Sequence, residues 1–232
     1  MYERFLKRGM DFVLSLLALI VLSPLLLLLT VIGAVAMQGN PFFTQLRPGR
    51  IDKRTGKEKI FRLIKFRTMT NAKDKNGKLL PDAQRLSKYG VWLRSTSLDE
   101  LPELINILGG SLSLVGPRPQ LVRDMLFMTQ EQRRRHTVPP GLTGLAQVNG
   151  RNNVTWEQKF AYDLQYIDNG ITFLGDCKIL LLTVWKVLKR SDTVREGTAS
   201  DMDLGDWLLM RGAIDREMYD RKQNEARELL NV

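Results

Sequence analysis

The feature that most restricts how this chain can fold is a run of 26 residues without a charge, FVLSLLALIVLSPLLLLLTVIGAVAM, from Phe12 to Met37. The hydrocarbon core of a bilayer takes about 20 helical residues, so the run is long enough to cross it. It is apolar around the whole helical circumference, which argues against a helix buried in a soluble core. It is too long for the apolar part of a signal peptide, although Ala34-Val35-Ala36 imitates a cleavage site. Charge argues against a simple crossing. Arg4, Lys7 and Arg8 precede the run, and Arg47, Arg50, Lys53, Arg54 and Lys57 follow it. Both flanks favour the cytoplasmic face, and a single crossing satisfies only one of them. Pro24 lies mid-run and has no N–H for the carbonyl of residue 20. The Ser23 hydroxyl is placed to bond a carbonyl one turn back. Two arms of about 12 residues each reach roughly 18 Å, slightly over half the core. We therefore expect a re-entrant membrane helix broken at Ser23-Pro24; a kinked spanning helix is the alternative.

The remaining totals narrow the class. The chain has 232 residues, enough for one domain with appendages. One cysteine, Cys177, excludes an internal disulfide, and with a single histidine a zinc site has too few ligands. The net charge of +10 is uneven: residues 191–232 hold ten acids and six bases, or −4, so residues 1–190 carry +14. A basic body implies an anionic partner, whether nucleic acid, anionic lipid or phosphorylated substrate.

The chain divides into a membrane helix (1–40), a body (41–190) and an acidic tail (191–232). The segments NPFFTQLRPGR and IFRLIKFRTM flank a polar turn and predict a small β-hairpin. DAQRLSKYGVWLRST and WEQKFAYDLQYIDN read as helices. GPRP, at 116–119, is a rigid turn, and VPPGLTGLAQVNGRNN carries little regular structure. Phe173 to Ser191 is apolar with lysines around it, and Trp185 suits headgroup depth. It reads as an interfacial amphipathic helix, with a core helix as the alternative. In the tail, DREMYDRKQNEARELL predicts a solvated helix with pairs such as Glu217 to Arg221. The fold class is thus α+β and mostly helical.

Two carboxylates stand side by side in SLDELPEL, Asp99 and Glu100. One reading is structural: Ser97 as N-cap and Glu100 three residues on form a capping box. The other is chemical. Lys65, Arg67, Arg94, Arg118 and Arg151 all lie in or beside turns and supply cations for phosphate groups. In such a pocket one acid serves as a carboxylate nucleophile, and the other helps to hold Mg²⁺, which takes one or two carboxylates plus substrate phosphates. His136, in RRRHTVPP, is available as a base, but a capping or surface role is the better reading, and nothing requires a base there.

Several stretches, in order, resemble the bacterial sugar transferases, the monotopic phosphoglycosyl transferases. They are SP within the apolar run, FTQLRPG, KFRTM, RSTSLDELPELINIL, SLVGPRP, PPGLTGLAQVNGRN and WEQKFAYD, and they extend from about residue 4 to residue 191. The resemblance is nearest to the small members, such as the bacillosamine-phosphate transferases. It implies transfer of a sugar 1-phosphate, often of an N-acetylated amino or diamino sugar, from a UDP-sugar to polyprenyl (undecaprenyl) phosphate, with release of UMP. It implies that Asp99 attacks the sugar-bearing phosphate and that Glu100 binds Mg²⁺. It also implies substrate-binding roles for Lys65, Arg94, Arg118, Arg151 and Asp163. The implied location is the cytoplasmic face of a bacterial inner membrane. The tail departs from this pattern; packing on the body, a homodimer contact and a contact to a downstream glycosyltransferase are its candidate roles. Other classes compete: a non-catalytic protein binding anionic lipid, a nucleotide-sugar pyrophosphatase using water, and a nucleic-acid binder. The last lacks a recognition motif and leaves the apolar run unexplained, so no nucleic-acid partner is expected.

Overall fold

The structure, a computed structural model, describes residues 2–150, 154–189 and 202–230. It is mostly helical, with two small sheets. A π-helical turn, Tyr2–Leu6, leads into α1, Lys7–Ala36. The helical backbone runs from Lys7 to Ala36 with Pro24 inside it. Proline inside a helix costs about 3 kcal/mol, partly by orphaning a carbonyl. Here the Ser23 hydroxyl donates to the Ile20 carbonyl at 2.7 Å, which is the carbonyl that Pro24 leaves without a donor.

Helix α1 lies along the body at both ends. Near its start, Lys7 pairs with Asp176 at 2.5 Å, and Arg8 donates to the carbonyls of Ile107 and Leu108. Asp11 accepts from the Ser113 hydroxyl and the Leu114 N–H. Near its end, the Tyr89 hydroxyl donates to the Leu29 carbonyl at 3.0 Å. Between them, Leu19 and Leu22 pack on Leu104 and Ile107. The rest of the helix surface is bare: Phe12, Leu17, Ile20, Val21, Leu27, Val31 and Val35 are exposed. An apolar surface of this extent has no stable place in water, so α1 belongs in a membrane.

The hairpin forms as expected. Strand β1, Phe42–Ile51, pairs antiparallel with β2, Glu58–Phe66, with a register shift between Pro48 and Ile51. The next helical stretch is split into α2, Asp82–Arg85, and α3, Lys88–Thr96, because Ser87 turns extended and caps α3 through Gly90 N–H. A short 3₁₀ turn, Leu98–Glu100, leads to α4, Glu103–Gly109. Strand β3, Ser113–Val115, precedes α5, Val122–Phe127, and α6, Gln130–Arg133, which runs into a second 3₁₀ turn at Arg134–Thr137. Strand β4, Gly141–Thr143, pairs parallel with β3, and α7 follows at Leu145–Val148. This parallel pair lies where little regular structure was expected. It forms because Gly116 and Gly141 let two backbones touch: a Cβ on Gly141 would sit 2.1 Å from Gly116 N.

Helix α8, Trp156–Asp168, and α9, Phe173–Lys189, complete the body. Phe173, Leu174, Leu181, Val184 and Trp185 are exposed on α9. The described part of the tail forms α10, Leu204–Met210, and α11, Arg216–Leu230. Both pack on the body. Leu204 N–H donates to Asp124, Trp156 donates to the Met202 carbonyl, and Ala226 is buried with Val122, Met125 and Leu126. The ion pair along α11 is Arg216 to Asp220, one residue off the Glu217–Arg221 pairing expected from spacing.

Candidate active site

The two carboxylates sit on the 3₁₀ turn between α3 and α4. Ser97 enters that turn in the left-handed region, φ 56°, as the C-cap of α3, and its side chain makes no N-cap bond to the turn. The capping-box reading therefore fails. A non-glycine residue held at positive φ stores strain, and such strain recurs at functional sites.

Strand β2 delivers Lys65 to the turn. Asn106 of α4 fixes that approach, because its amide oxygen accepts from Ile64 N–H at 3.0 Å and its NH₂ donates to the Arg62 carbonyl at 2.8 Å. One side chain thus continues the hydrogen-bonding of β2 and docks α4 beside it. Lys65 Nζ then lies 2.9 Å from Glu100 Oε1 and 3.0 Å from Glu103 Oε1. Burial works against the Lys65 charge, but Glu100 and Glu103 hold its pKa above the ordinary value.

The turn 116–119 delivers Arg118. Gly116 is pressed against the segment 139–141, with Pro139 O only 2.5 Å from where a Cβ would stand. Arg118 Nη2 meets Glu100 Oε1 at 2.5 Å. Behind it, Arg135 Nη2 donates to the Arg118 carbonyl at 2.6 Å, and the same guanidinium pairs with Asp163 at 2.7 Å. Arg94 on α3 is placed by Thr68, whose hydroxyl lies 3.1 Å from its Nε. Gly90 makes room for Thr68: a Cβ there would stand 2.0 Å from the Thr68 carbonyl.

The two neighbouring acids consequently live in opposite environments. Burial penalises the Glu100 charge, yet Arg118 and Lys65 outweigh it and hold this carboxyl far below the usual carboxylate range. The Asp99 carboxylate makes no ion pair or hydrogen bond among the described residues. Burial, and then the Glu100 charge, push it up to about 6 despite the more distant Lys65, Arg118 and Arg94. Two titratable groups whose environments separate their pKa values are the usual mark of divided chemical roles.

The structure thus brings together Asp99, Glu100, Lys65, Arg118 and, through its charge, Arg94. Asp163 stands behind Arg118, engaged by the buried Arg135. Arg151 lies outside the described residues. His136 is buried rather than at the surface, with Nδ1 3.1 Å from Glu58 Oε1. Glu103, Asn106, Thr68 and Arg135 were not anticipated. Glu103 had a readable signal as a third acid in SLDELPEL; the other three act through partners distant in sequence.

Mg²⁺ is the ion that the resemblance implies here. Lys65 and Arg118 both converge on Oε1 of Glu100, and neither touches Oε2. Among the described residues no three carboxylate, histidine or cysteine side chains form a closed metal cage. An ion that takes one or two carboxylates and completes its shell with phosphate oxygens and water does not require such a cage.

Comparison with known proteins identifies the family. Residues 2–190 match the bacterial sugar transferase family. The chain is 48% identical over 183 residues to an uncharacterized sugar transferase, EpsL, of Bacillus subtilis, covering 79% of this chain and 87% of that protein. It is 40% identical over 190 residues to a UDP-glucose:undecaprenyl-phosphate glucose-1-phosphate transferase of Klebsiella pneumoniae, covering 78% of this chain but 39% of that protein. It is 33% identical over 195 residues to the exopolysaccharide production protein ExoY of Sinorhizobium fredii, covering 77% of this chain and 83% of that one. The chain therefore spans most of the two smaller relatives and about two fifths of the Klebsiella protein. The described tail, beyond residue 190, lies outside the family match. With residues 2–190 matched, this chain belongs to the bacterial sugar transferase family.

Proposed function

We propose that this protein is a phosphoglycosyl transferase that moves a sugar 1-phosphate from a UDP-sugar to polyprenyl phosphate, undecaprenyl phosphate being the form named for the Klebsiella relative. The observation that carries the reading is the division of the carboxylate pair. Glu100 is locked by two cations, and Asp99 is left half-buried beside them with no hydrogen bond or ion pair among the described residues. A partnerless carboxylate among cations is suited to attack an anionic phosphate that would otherwise repel it.

In this mechanism an Asp99 carboxylate oxygen attacks the phosphorus that bears the sugar. The bond from that phosphorus to the UMP oxygen breaks, and UMP leaves with the electron pair. The aspartyl-phosphosugar is then attacked by a phosphate oxygen of the polyprenyl carrier, which restores the Asp99 carboxylate. Arg118, Lys65 and Arg94 offset negative charge on the phosphate oxygens, and Arg151 is proposed to join them. Asp163 acts as a positioning residue, through Arg135 and the Arg118 backbone. Glu100 Oε2, with Asp99 and substrate oxygens, would hold Mg²⁺, which supplies further neutralisation of phosphate charge.

The disposition of α1 supports attack at a membrane surface. Its two ends and its middle all rest on one polar body, so a helix crossing the bilayer would drag that body with it. We place α1 in a single leaflet, with α9 at the interface and the site on the cytoplasmic face, where basic flanks belong. The resemblance favours an acetylated amino sugar as donor, whereas the Klebsiella relative is named for glucose. The test is UMP release from a panel of UDP-sugars spanning both, with purified protein, Mg²⁺ and polyprenyl phosphate in detergent. Multiple-turnover release with one donor, dependent on the carrier and absent in Asp99→Asn, is expected. Repeated turnover without the carrier, beyond one UMP per protein, would favour a pyrophosphatase. No release with any donor, and function in cells unaffected by loss of Asp99 and Glu100, would favour a lipid-binding protein.

A further inference from the structure

Arg47 has no place in the machinery above, and its surroundings are unusual for an arginine. It lies on β1, immediately before the register shift at Pro48. Of the five N–H donors of a guanidinium, two are used: Nη1 donates to the Pro119 carbonyl at 3.3 Å and Nη2 to Gln45 Oε1 at 2.7 Å. Its Nε is buried with no partner. No carboxylate stands within ion-pairing distance among the described residues. The acids in its surroundings are each engaged elsewhere: Glu103 with Lys65, Asp203 with Arg123, and Asp124 with the N–H groups of Leu121 and Leu204. The charge that acts on it most strongly is of its own sign, Arg118. Burial, and then that neighbour, push the Arg47 pKa down to about 10.

A partly buried cation beside a second one is unfavourable unless something anionic comes between them. Both arginines belong to the same end of the rigid turn. Arg118 is part of it, and Arg47 grips the carbonyl of Pro119, the next residue. Arg118 already faces the carboxylate pair. An arginine with an unused edge suits a phosphate, which takes two parallel N–H donors from one planar fork. We infer that Arg47 and Arg118 form a clamp for a phosphate oxyanion of one of the two phosphorylated substrates. The inference rests on the phosphoryl-transfer reading of Asp99 and Glu100, and it adds a residue to which that reading assigns nothing. The clamp gives a role to a guanidinium that makes two hydrogen bonds but no ion pair among the described residues.

The test is equilibrium binding, which needs no turnover. Full-length wild type, Arg47→Met and Arg47→Lys in detergent are titrated separately with UDP and with a polyprenyl phosphate, and their melting temperatures are measured without ligand. Loss of one charge-assisted contact predicts about ten- to a hundredfold weaker binding of one probe by Arg47→Met. Its melting temperature stays equal to or above that of wild type, because a repulsion is removed. A structural arginine would instead lower the melting temperature and leave affinity alone. Weakening confined to UDP places the clamp on the donor diphosphate, and weakening confined to the lipid phosphate places it on the acceptor. Should Arg47→Met fail to fold, Arg47→Lys decides: it keeps the charge, loses the fork, and is expected to bind several-fold more weakly. Unchanged affinity for both probes in the folded variants overturns the clamp. That result would leave the transferase reading intact, since the UMP-release assay judges it separately.

Discussion

Asp99→Asn should make the protein more stable at alkaline pH while removing its chemistry. In the folded protein Asp99 titrates at about 6 instead of 3.8. The folded state therefore holds this proton more tightly than the unfolded chain does. The stability this contributes is complete below about pH 4 and is lost as pH rises through about 6. Above that, keeping the ionised carboxylate in place costs about 3 kcal/mol, and water at the partly exposed group trims this to about 2 kcal/mol. Asparagine cannot ionise and escapes the penalty. For a chain of this length, about 2 kcal/mol corresponds to a rise of roughly 4–8 °C in melting temperature. The assay is thermal unfolding in detergent at fixed scan rate, from pH 4.5 to 8.5, for wild type and variant. The gain should be greatest at pH 8 and fade towards pH 4.5. Glu100→Gln, next door, should do the reverse, because it strips the partner from Lys65 and Arg118. An Asp99→Asn variant no more stable than wild type at pH 8, or a gain independent of pH, would refute the claim that this carboxylate is held under electrostatic strain.

Other outcomes follow from the same geometry. The single-turnover rate of UMP release without acceptor should rise about tenfold per pH unit below pH 6 and level off above it, as Asp99 ionises; a flat profile from pH 5 to 8 contradicts its role as nucleophile. Gly90→Ala should lower the melting temperature and cripple transfer, because its Cβ would stand 2.0 Å from the Thr68 carbonyl and so displace the support of Arg94. Gly109→Ala, with nothing within 4 Å, should be neutral or slightly stabilising. Ala226→Glu should release the tail, since it forces a charge into the cluster of Val122, Met125 and Leu126; a melting temperature and amide-exchange pattern equal to wild type would show that α11 is not docked there.

The elements with strong local signals were legible in the chain. The uncharged run, the hairpin around its polar turn, and the helices α8 and α9 each follow from periodicity and turn residues alone. The carboxylate pair and its cations were legible through ordered motifs. What stayed hidden depends on partners far apart. The amide of Asn106 speaks to the backbone at Arg62 and Ile64, and Arg135 reaches Arg118 and Asp163. Neither has a local signature. The parallel pair β3 and β4 has three residues per strand and rests on glycine contacts between segments about 25 residues apart. Ser97 shows how a local rule fails: Ser-x-x-Glu reads as a capping box, yet the left-handed exit of α3 takes the serine first. At Pro24 the local rule holds, since the Ser23 hydroxyl bonds the Ile20 carbonyl one turn back as its position predicts.

The most direct test of the central claim is the intact mass of the protein after brief exposure to UDP-sugars with Mg²⁺, in detergent and without lipid acceptor. The account predicts a gain equal to one sugar phosphate with the correct donor, lost on adding polyprenyl phosphate and never seen in Asp99→Asn. A donor that supports full transfer to the lipid yet leaves no adduct on rapid quenching, or an adduct that survives in Asp99→Asn, would contradict it.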